Sequence, residues 1–334
     1  MIVTFIIIAY NAGKYIEKSF SCLLKQDYDL KKIEVILVDS NSTDNTKKIM
    51  MNYQKKYASK FNSFKVLDNP NKTLPNGWNV ALKEAHGDAI LRVDAHTTFN
   101  KDFISLNVKE IKNGASIVGG KCESITLNNT RKEKLLLIAE ESIFGAGIAD
   151  FRRSEEKKYV STLAFAMYQK KVFDDVGLYN INLARTEDNE MHYRMRKKGY
   201  KFLFVPEIKT YRYARSDFKG LVKQKYGNGK WIGITMYYCP KCFSLYHFVP
   251  LFFVIGLLLS IILCFYNFPY ILYLIAVLYA LFNIINIFLI SLKNKFHLEY
   301  LLLPIIFFIL HFSYGFGTIV GLIMGPFYKR RRRK

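Results

Sequence analysis

Residues 89–99, AILRVDAHTTF, carry an apolar strand straight into the carboxylate of Asp94 and, two positions later, the imidazole of His96. An Asp at a strand exit can simply make a turn. The same pair can also hold a divalent cation against a diphosphate, and the residue types alone leave both readings open. Two other acids close apolar runs in the same way: Asp39 ends IEVILVD and Asp68 ends FKVLD. A further cluster, Thr186-Glu187-Asp188, opens EDNEMHYRMRKK, in which acids come first and bases last. That order suits the dipole of a helix beginning there, and a charged helix start is the plain alternative to chemistry at Asp188.

These acids need a frame that brings them to one rim. Ile2–Ala9 is strand-like, Ile16, Phe20, Leu23 and Leu24 recur at helical spacing, and Ile33–Val38 is a near-continuous apolar run. SNSTDNT follows, rich in helix-capping residues, and opens a polar helix from Asn45 to Phe61, with Asp44 read as a helix-start residue. Phe64–Leu67 is a third strand, Trp78–Ala85 a helix stopped by Gly87, and the strand ending at Asp94 comes next. Strand and helix alternating at this cadence predict a mostly parallel sheet with helices on both faces. Such sheets bind ligands at the carboxyl ends of their strands, where Asp39, Asp68 and Asp94 stand. Downstream, ESIFGAGIADFRRSEEKKYV has the Gly and charge content of a mobile loop. Leu163–Tyr168 predicts a strand, Lys170–Val176 a short helix, Glu187–Lys198 a helix closed by Gly199, and Phe202–Val205 and Lys209–Arg212 two more strands.

The last quarter differs in kind. Phe248–Phe265, Tyr270–Leu292 and Tyr300–Phe327 are free of Asp, Glu, Lys and Arg, and runs of this length are what crossing a bilayer requires. Asn283 and Asn286 are present, but the ionisable groups that pumps and transporters place in mid-membrane are not, so anchoring fits better than transport. MIVTFIIIAY lacks a basic leader and a small-residue cleavage site and reads as a buried strand, not a signal peptide. The net charge of +22 invites a nucleic-acid partner, yet the basic residues are scattered and no nucleic-acid motif occurs. The strongest run, the terminal KRRRRK, adjoins an apolar segment, which points to anionic headgroups on the cytoplasmic side and away from nucleic acid. Five cysteines form no framework, and the lone Cys239-Pro-Lys-Cys242 pair falls short of the four ligands zinc normally takes.

VTFIIIAYNAGKYIEKSFSCLLKQD, IEVILVDSNSTDNT, LRVDAH and RTEDNEMHYRMRKKGY occur in the order and spacing of a family 2 glycosyltransferase. The chain resembles that family from residue 2 to about 235, and VDAH followed by membrane helices is most similar to its succinoglycan-biosynthesis branch. The resemblance implies an α/β GT-A fold with a Rossmann-like, mostly parallel sheet, followed by C-terminal transmembrane helices. It implies inverting transfer from a nucleotide-diphosphate sugar, with Asp39 holding the nucleoside, although the family's following Asp-Gly is Ser40-Asn41 here. Tyr10 and Asn11 would contact base or ribose, with Asp68 on the same donor rim. The family's Asp-x-Asp, whose second acid binds a divalent ion, reads Asp94-Ala95-His96 in this chain. Imidazole suits a later ion than Mg2+ and so favours Mn2+. Asp188 matches the family's general base, with Glu187 supporting it, while Glu190 and Arg194 form a helix-surface pair at i,i+4 spacing. QKYGNGKWIG resembles loosely the Gln-x-x-Arg-Trp element of processive relatives, but Gln224 and Trp231 are spaced too widely and Lys230 replaces Arg, which argues against processive synthesis. Trp231 can stack on an acceptor sugar and Lys230 approach the diphosphate; a membrane-surface segment fits equally.

The expected organisation is a glycosyltransferase domain at 1–215, an amphipathic interface segment at 216–247, two or three transmembrane segments at 248–328 and a basic tail at 329–334. Nucleotide sugars are cytosolic, so the catalytic domain and KRRRRK share the cytoplasmic side of the cell membrane, which demands an even number of crossings. The 28-residue third segment would make about 42 Å of helix against a core of about 30 Å. Pro304, Gly315, Gly317 and Gly321 are placed to break it, so the preferred arrangement has two crossings and a bent, re-entrant or interfacial third segment; three plain spans are the alternative. The expected activity is transfer from a UDP-sugar to a lipid-linked saccharide of a surface polysaccharide. Its rivals are transfer directly to a polyprenyl phosphate and a catalytically silent membrane scaffold that binds nucleotide sugars.

Overall fold

The computed structural model describes residues 1–145, 152 and 154–331. The middle of the Gly-rich segment expected to be a loop, and the last residues of the basic tail, lie outside the described residues. The chain divides into two compact units, one of Met1–Ser124 and Ala149–Tyr213, the other of Ile125–Ile148 and Ala214–Lys334. The division departs from a single boundary at 215, because residues 125–148 group with the C-terminal unit.

The first unit is built on β1 (Val3–Ala9), β2 (Ile33–Asp39), β3 (Ser63–Asp68), β4 (Ala89–Asp94), β5 (Thr97–Phe99), β6 (Ile117–Ile125), β7 (Lys158–Val160), β8 (Met167–Gln169) and β9 (Phe202–Tyr213), in sheet order β3-β2-β1-β4-β8-β6-β9-β5 with β7 on β9. The first four strands are parallel, joined by α1 (Ile16–Leu24), α2 (Thr46–Tyr57) and α3 (Leu74–Glu84), while β8 is antiparallel to β4 and β6 antiparallel to β8. Every residue of β1 and β2 is buried, as in central parallel strands, and of their three polar residues Thr4 donates to Glu34 at 2.6 Å while Asp39 ends β2. Alternate residues of β1 feed two cores on opposite faces of the sheet. Val3, Phe5 and Ile7 join Phe20, Leu23 and Phe103 of α4 (Phe103–Lys112); Ile6 and Ile8 join Trp78, Tyr168, Met191 and Phe202.

Helix α6 (Lys170–Val176) falls where the sequence predicts it, and α7 (Glu187–Lys197) within a residue of the prediction. Two strand expectations change. The strand expected at Leu163–Tyr168 is Met167–Gln169, beginning four residues later and ending one later, and the two strands expected at 202–212 are one, uninterrupted by Pro206. Continuity costs little there, because the part before Pro206 pairs with β7 and the part after it with β5.

In the second unit, α5 (Arg131–Glu141) buries Leu135, Leu136 and Ala139 with Leu221 of α8 (Phe218–Thr235) and Leu303, Ile306 and Phe307 of the final helix, which is why 125–148 belongs here. Helices α9 (Val249–Cys264), α10 (Tyr270–Asn294) and α11 (Leu303–Arg331) lie in three segments long and apolar enough to cross a membrane. The break expected in the third segment does not occur: α11 is continuous through Gly315, Gly317 and Gly321. Those glycines instead let helices touch backbone to backbone. A Cβ on Gly321 would stand 2.0 Å from the Lys230 carbonyl oxygen, one on Gly317 2.3 Å from that of Tyr226, and one on Gly229 1.9 Å from that of Tyr314. Small residues at four-residue spacing on α8 (Gly229, Gly233) and on α11 (Gly317, Gly321) thus form one seam, and side-chain absence offsets the helix cost of glycine with close contact.

Candidate active site

Strand register decides which acids meet. Asp39 is paired with Ala9 and with Asp68, and Ile8 is paired with Asp94, so all three acids reach the same carboxyl edge of the parallel strands. They do not share a face. Asp94 and Arg92 pair with Ile8 and Ile6 and lie on the side packed by α7, whereas Asp39 follows Ala9 toward the other.

On the α7 side, four charged groups gather. The Arg92 guanidinium donates from Nη2 to Glu187 Oε1 at 3.1 Å and from Nη1 to the Tyr179 hydroxyl at 3.4 Å. Its Cζ lies 4.8 Å from the Trp78 ring centre and 5.7 Å from that of Tyr179, and the two rings are 6.2 Å from each other, so the cation rests against an adjoining pair of aromatic rings. Tyr179 is fixed in turn by Asn79 of α3, which donates to its carbonyl and accepts from its N–H, both at 2.8 Å. The Arg92 side chain is 12% exposed and that of Glu187 2%. Glu187 Oε2 has no hydrogen-bond partner. Burial, reinforced by the neighbouring Asp188 charge, raises the Glu187 carboxyl pKa against the pull of Arg92. Burial opposes the Arg92 charge, but Tyr179, Glu187, Asp94 and Asp188 together hold it firmly protonated. Asp188 is half-buried beside this pair, its Oδ1 accepting from the Asn189 N–H at 2.8 Å.

The rest of α7 is anchored in the core. His192 Nδ1 lies 2.8 Å from Thr162 Oγ1 and Nε2 2.9 Å from the Tyr168 hydroxyl, with its ring edge-on to Phe202. Burial, then Arg92 and Arg196, push its pKa down to about 3. Glu190 and Arg194 form the expected i,i+4 pair at 2.7 Å, and Arg194 also donates to the Val176 and Leu178 carbonyls.

On the β2 side, Asp39 is 2% exposed; Oδ2 accepts from the Ser42 N–H at 3.1 Å, and Oδ1 has no hydrogen-bond partner. Asn11, at φ 48°, accepts from the Thr43 N–H at 2.8 Å while Ser42 Oγ accepts from its own N–H, tying the loop after β1 to the loop after β2. Tyr10 beside it is 55% exposed. Asp68 is a solvent-facing rim residue paired with Lys47 at 2.7 Å. Asp44 caps the start of α2, accepting from the N–H groups of Thr46 and Gly13. His96 follows Asp94 by two residues at the β4–β5 turn, half-buried, its carbonyl accepting from Tyr213 N–H.

Among the described residues no three His, Cys, Asp or Glu side chains cluster as a metal cage. Asp94 and His96, half-buried on one turn, would supply at most two ligands, which fits a Mn2+ or Mg2+ ion completed by diphosphate oxygens and water. Such an ion would supply Lewis-acid stabilisation of the departing diphosphate. Lys230 and Trp231 stand on α8 in the other unit, where Trp231 packs edge-on against Tyr328 at 5.4 Å. Arg92, Trp78 and Tyr179 are not among the site residues that the sequence motifs mark. A charged residue inside an otherwise apolar strand was the available signal for the first; nothing in sequence marks the rings.

A parallel-then-antiparallel sheet carrying acids at the carboxyl edge of its first strands defines the GT-A class of sugar-nucleotide transferases. The chain belongs to glycosyl transferase family 2, whose family profile matches residues 4–177. It is 27% identical over 332 residues, 97% of this chain and 98% of the relative, to a dolichyl N-acetyl-alpha-D-glucosaminyl phosphate 3-beta-D-2,3-diacetamido-2,3-dideoxy-beta-D-glucuronosyltransferase of Methanococcus voltae. It is 26% identical to succinoglycan biosynthesis protein ExoA of Rhizobium meliloti over 59% of this chain and 58% of that protein. Among solved structures it shares its fold with a mannosyltransferase from Pyrobaculum calidifontis, determined with GDP-Man and Mn2+, at a TM-score of 0.55 and 15% identity over 98% of this chain and 87% of that one.

Proposed function

We propose that this glycosyltransferase is membrane-bound, metal-dependent and inverting, and moves one sugar from a UDP-sugar onto a lipid-linked saccharide of a surface polysaccharide. The observation that carries the reading is the gathering of Asp94, Glu187 and Asp188 around Arg92 at the strand edge that also bears Asp39. Asp39, with one carboxylate oxygen lacking a partner, accepts the uracil N–H or a ribose hydroxyl, and Tyr10, Asn11 and Asp68 border the nucleoside. Asp94 and His96 face the diphosphate and its cation. Asp188 takes the acceptor hydroxyl proton as the new bond to the anomeric carbon forms and the bond to the diphosphate breaks, a role worth about 10² to 10⁴ in rate. Lys230 and Trp231 belong to acceptor handling at the membrane surface. A lipid-linked acceptor is supported by the name of the Methanococcus relative. The α9–α10 hairpin makes two crossings of the cell membrane with the catalytic unit cytoplasmic. Support for this comes from α11, whose first half packs on that hairpin and whose second half runs along the lysine-bearing α8. The test incubates membranes containing the protein with labelled UDP-sugars and Mn2+ and follows label into the lipid fraction. Transfer should be lost on chelation and in Asp188→Asn, with UDP affinity retained; wild-type turnover in that variant refutes the assignment.

A further inference from the structure

The family reading explains why acids stand at the strand edge, but it leaves unassigned the cation at their centre. Arg92 sits two residues before Asp94 on β4, facing the same side. A guanidinium this deep is a costly choice for a strand interior unless its hydrogen bonds are used. Here the guanidinium rests against Trp78 and Tyr179, and its hydrogen bonds go to the Tyr179 hydroxyl and to Glu187, the first residue of α7. Asp188 is the next residue in that first turn. Its placement relative to β4 therefore depends on where the Arg92–Glu187 pair holds the end of the helix.

Resting on the proposed function, we infer that Arg92 is a positioning residue for transfer: held against Trp78 and Tyr179, it fixes Glu187 and through it the orientation of Asp188 toward the acceptor. The groups facing Arg92 are Asp94 from its own strand, Glu187 and Asp188 from α7, and Tyr179 from the loop before it. His192 of α7 and Tyr168 of β8 also feel the Arg92 charge. Asn79 grips the Tyr179 backbone by two hydrogen bonds, so the ring and hydroxyl that Arg92 contacts are themselves held in place. Rigidity of this kind matters because misplacing a reacting group by about 1 Å costs on the order of 10²-fold in rate.

A purely structural pair would behave differently, and the two roles separate in a double replacement. Full-length protein in detergent is compared as wild type, Arg92→Met, Glu187→Gln and Arg92→Met/Glu187→Met. The readouts are thermal midpoint, UDP binding with Mn2+, and kcat and KM for a UDP-sugar that the wild type transfers. Arg92→Met alone leaves a buried carboxyl without its cation and should lower the midpoint. The double variant should recover the midpoint and bind UDP within about threefold of wild type, yet remain down about 10²-fold in kcat with donor KM little changed. Recovery of kcat along with the midpoint would overturn the inference and reduce the pair to folding. Should the double variant not fold, Glu187→Gln decides: it keeps an oxygen for Arg92 but weakens the pair, and kcat at the wild-type level in that folded variant would equally overturn it. A wild type that neither transfers sugar nor binds UDP would instead refute the proposed function, so the two failures are distinguishable.

Discussion

His192 ties the helix bearing Glu187 and Asp188 to the core, and it makes the stability of the first unit depend on acid in a calculable way. The ring is 1% exposed and hydrogen-bonded on both nitrogens, with Arg92 and Arg196 opposing a positive charge. Its pKa falls from an ordinary value of 6.5 to about 3 in the folded chain. A depressed histidine favours the neutral folded form, so its contribution is fully present above pH 6.5 and is lost as pH falls toward 3, because the unfolded chain takes up a proton that the folded chain refuses. Each pH unit in that window costs about 1.4 kcal/mol, giving about 2.7 kcal/mol at pH 4.5. That is a large share of the ~5–15 kcal/mol by which a domain is usually stable. Carboxylates also titrate in acid, so the quantity to measure is the difference between wild type and His192→Gln. The chain has two tryptophans, and in a Trp231→Phe background the fluorescence of buried Trp78 reports the first unit alone. Urea unfolding in detergent at pH 7.5, 6.5, 5.5 and 4.5 should show the wild type losing about 2.7 kcal/mol relative to His192→Gln across the series. A difference that stays flat to pH 4.5 would refute the reasoning, since it would mean that the folded ring accepts the proton.

Two further outcomes follow from geometry. Gly321→Val should lower the thermal midpoint and open α8 to trypsin, because even its Cβ would meet the Lys230 carbonyl at 2.0 Å and overpacking typically costs about 1–3 kcal/mol; an unchanged midpoint and digestion pattern would contradict the seam. Asp39→Ala should raise the donor KM about tenfold or more with kcat within about threefold, since a charged hydrogen bond to the nucleoside is worth about 1.5–3 kcal/mol. Kinetics in which kcat falls and KM holds would place Asp39 elsewhere in the reaction.

Local sequence determined most of the elements, and their ends less closely: the helix expected from Asn45 to Phe61 runs Thr46–Tyr57 and that expected from Trp78 to Ala85 runs Leu74–Glu84. Apolar runs of strand length, capping residues and the cadence of strand and helix located β1 to β4, and three of those runs visibly end in acids because the pattern needed is only seven or so residues long. The three apolar segments at the C-terminus are legible for the same reason: their length and lack of charge are properties of contiguous residues. Four motifs in register gave the family. Tertiary structure decided what those elements do to one another. Asp39 and Asp94 look equivalent in sequence, yet pairing one with Ala9 and the other with Ile8 sends them to opposite faces, because side chains alternate and register is set by the neighbouring strand. Arg92 and Glu187 are 95 residues apart, and only folding shows that one answers the other. The glycines that read as breakers of the last helix are its contact surface, since whether a missing side chain weakens a helix or admits a neighbour depends on what lies against it. For the same reason residues 125–148 join the second unit: an apolar face announces that it will be buried, but only the packed chain names its partner.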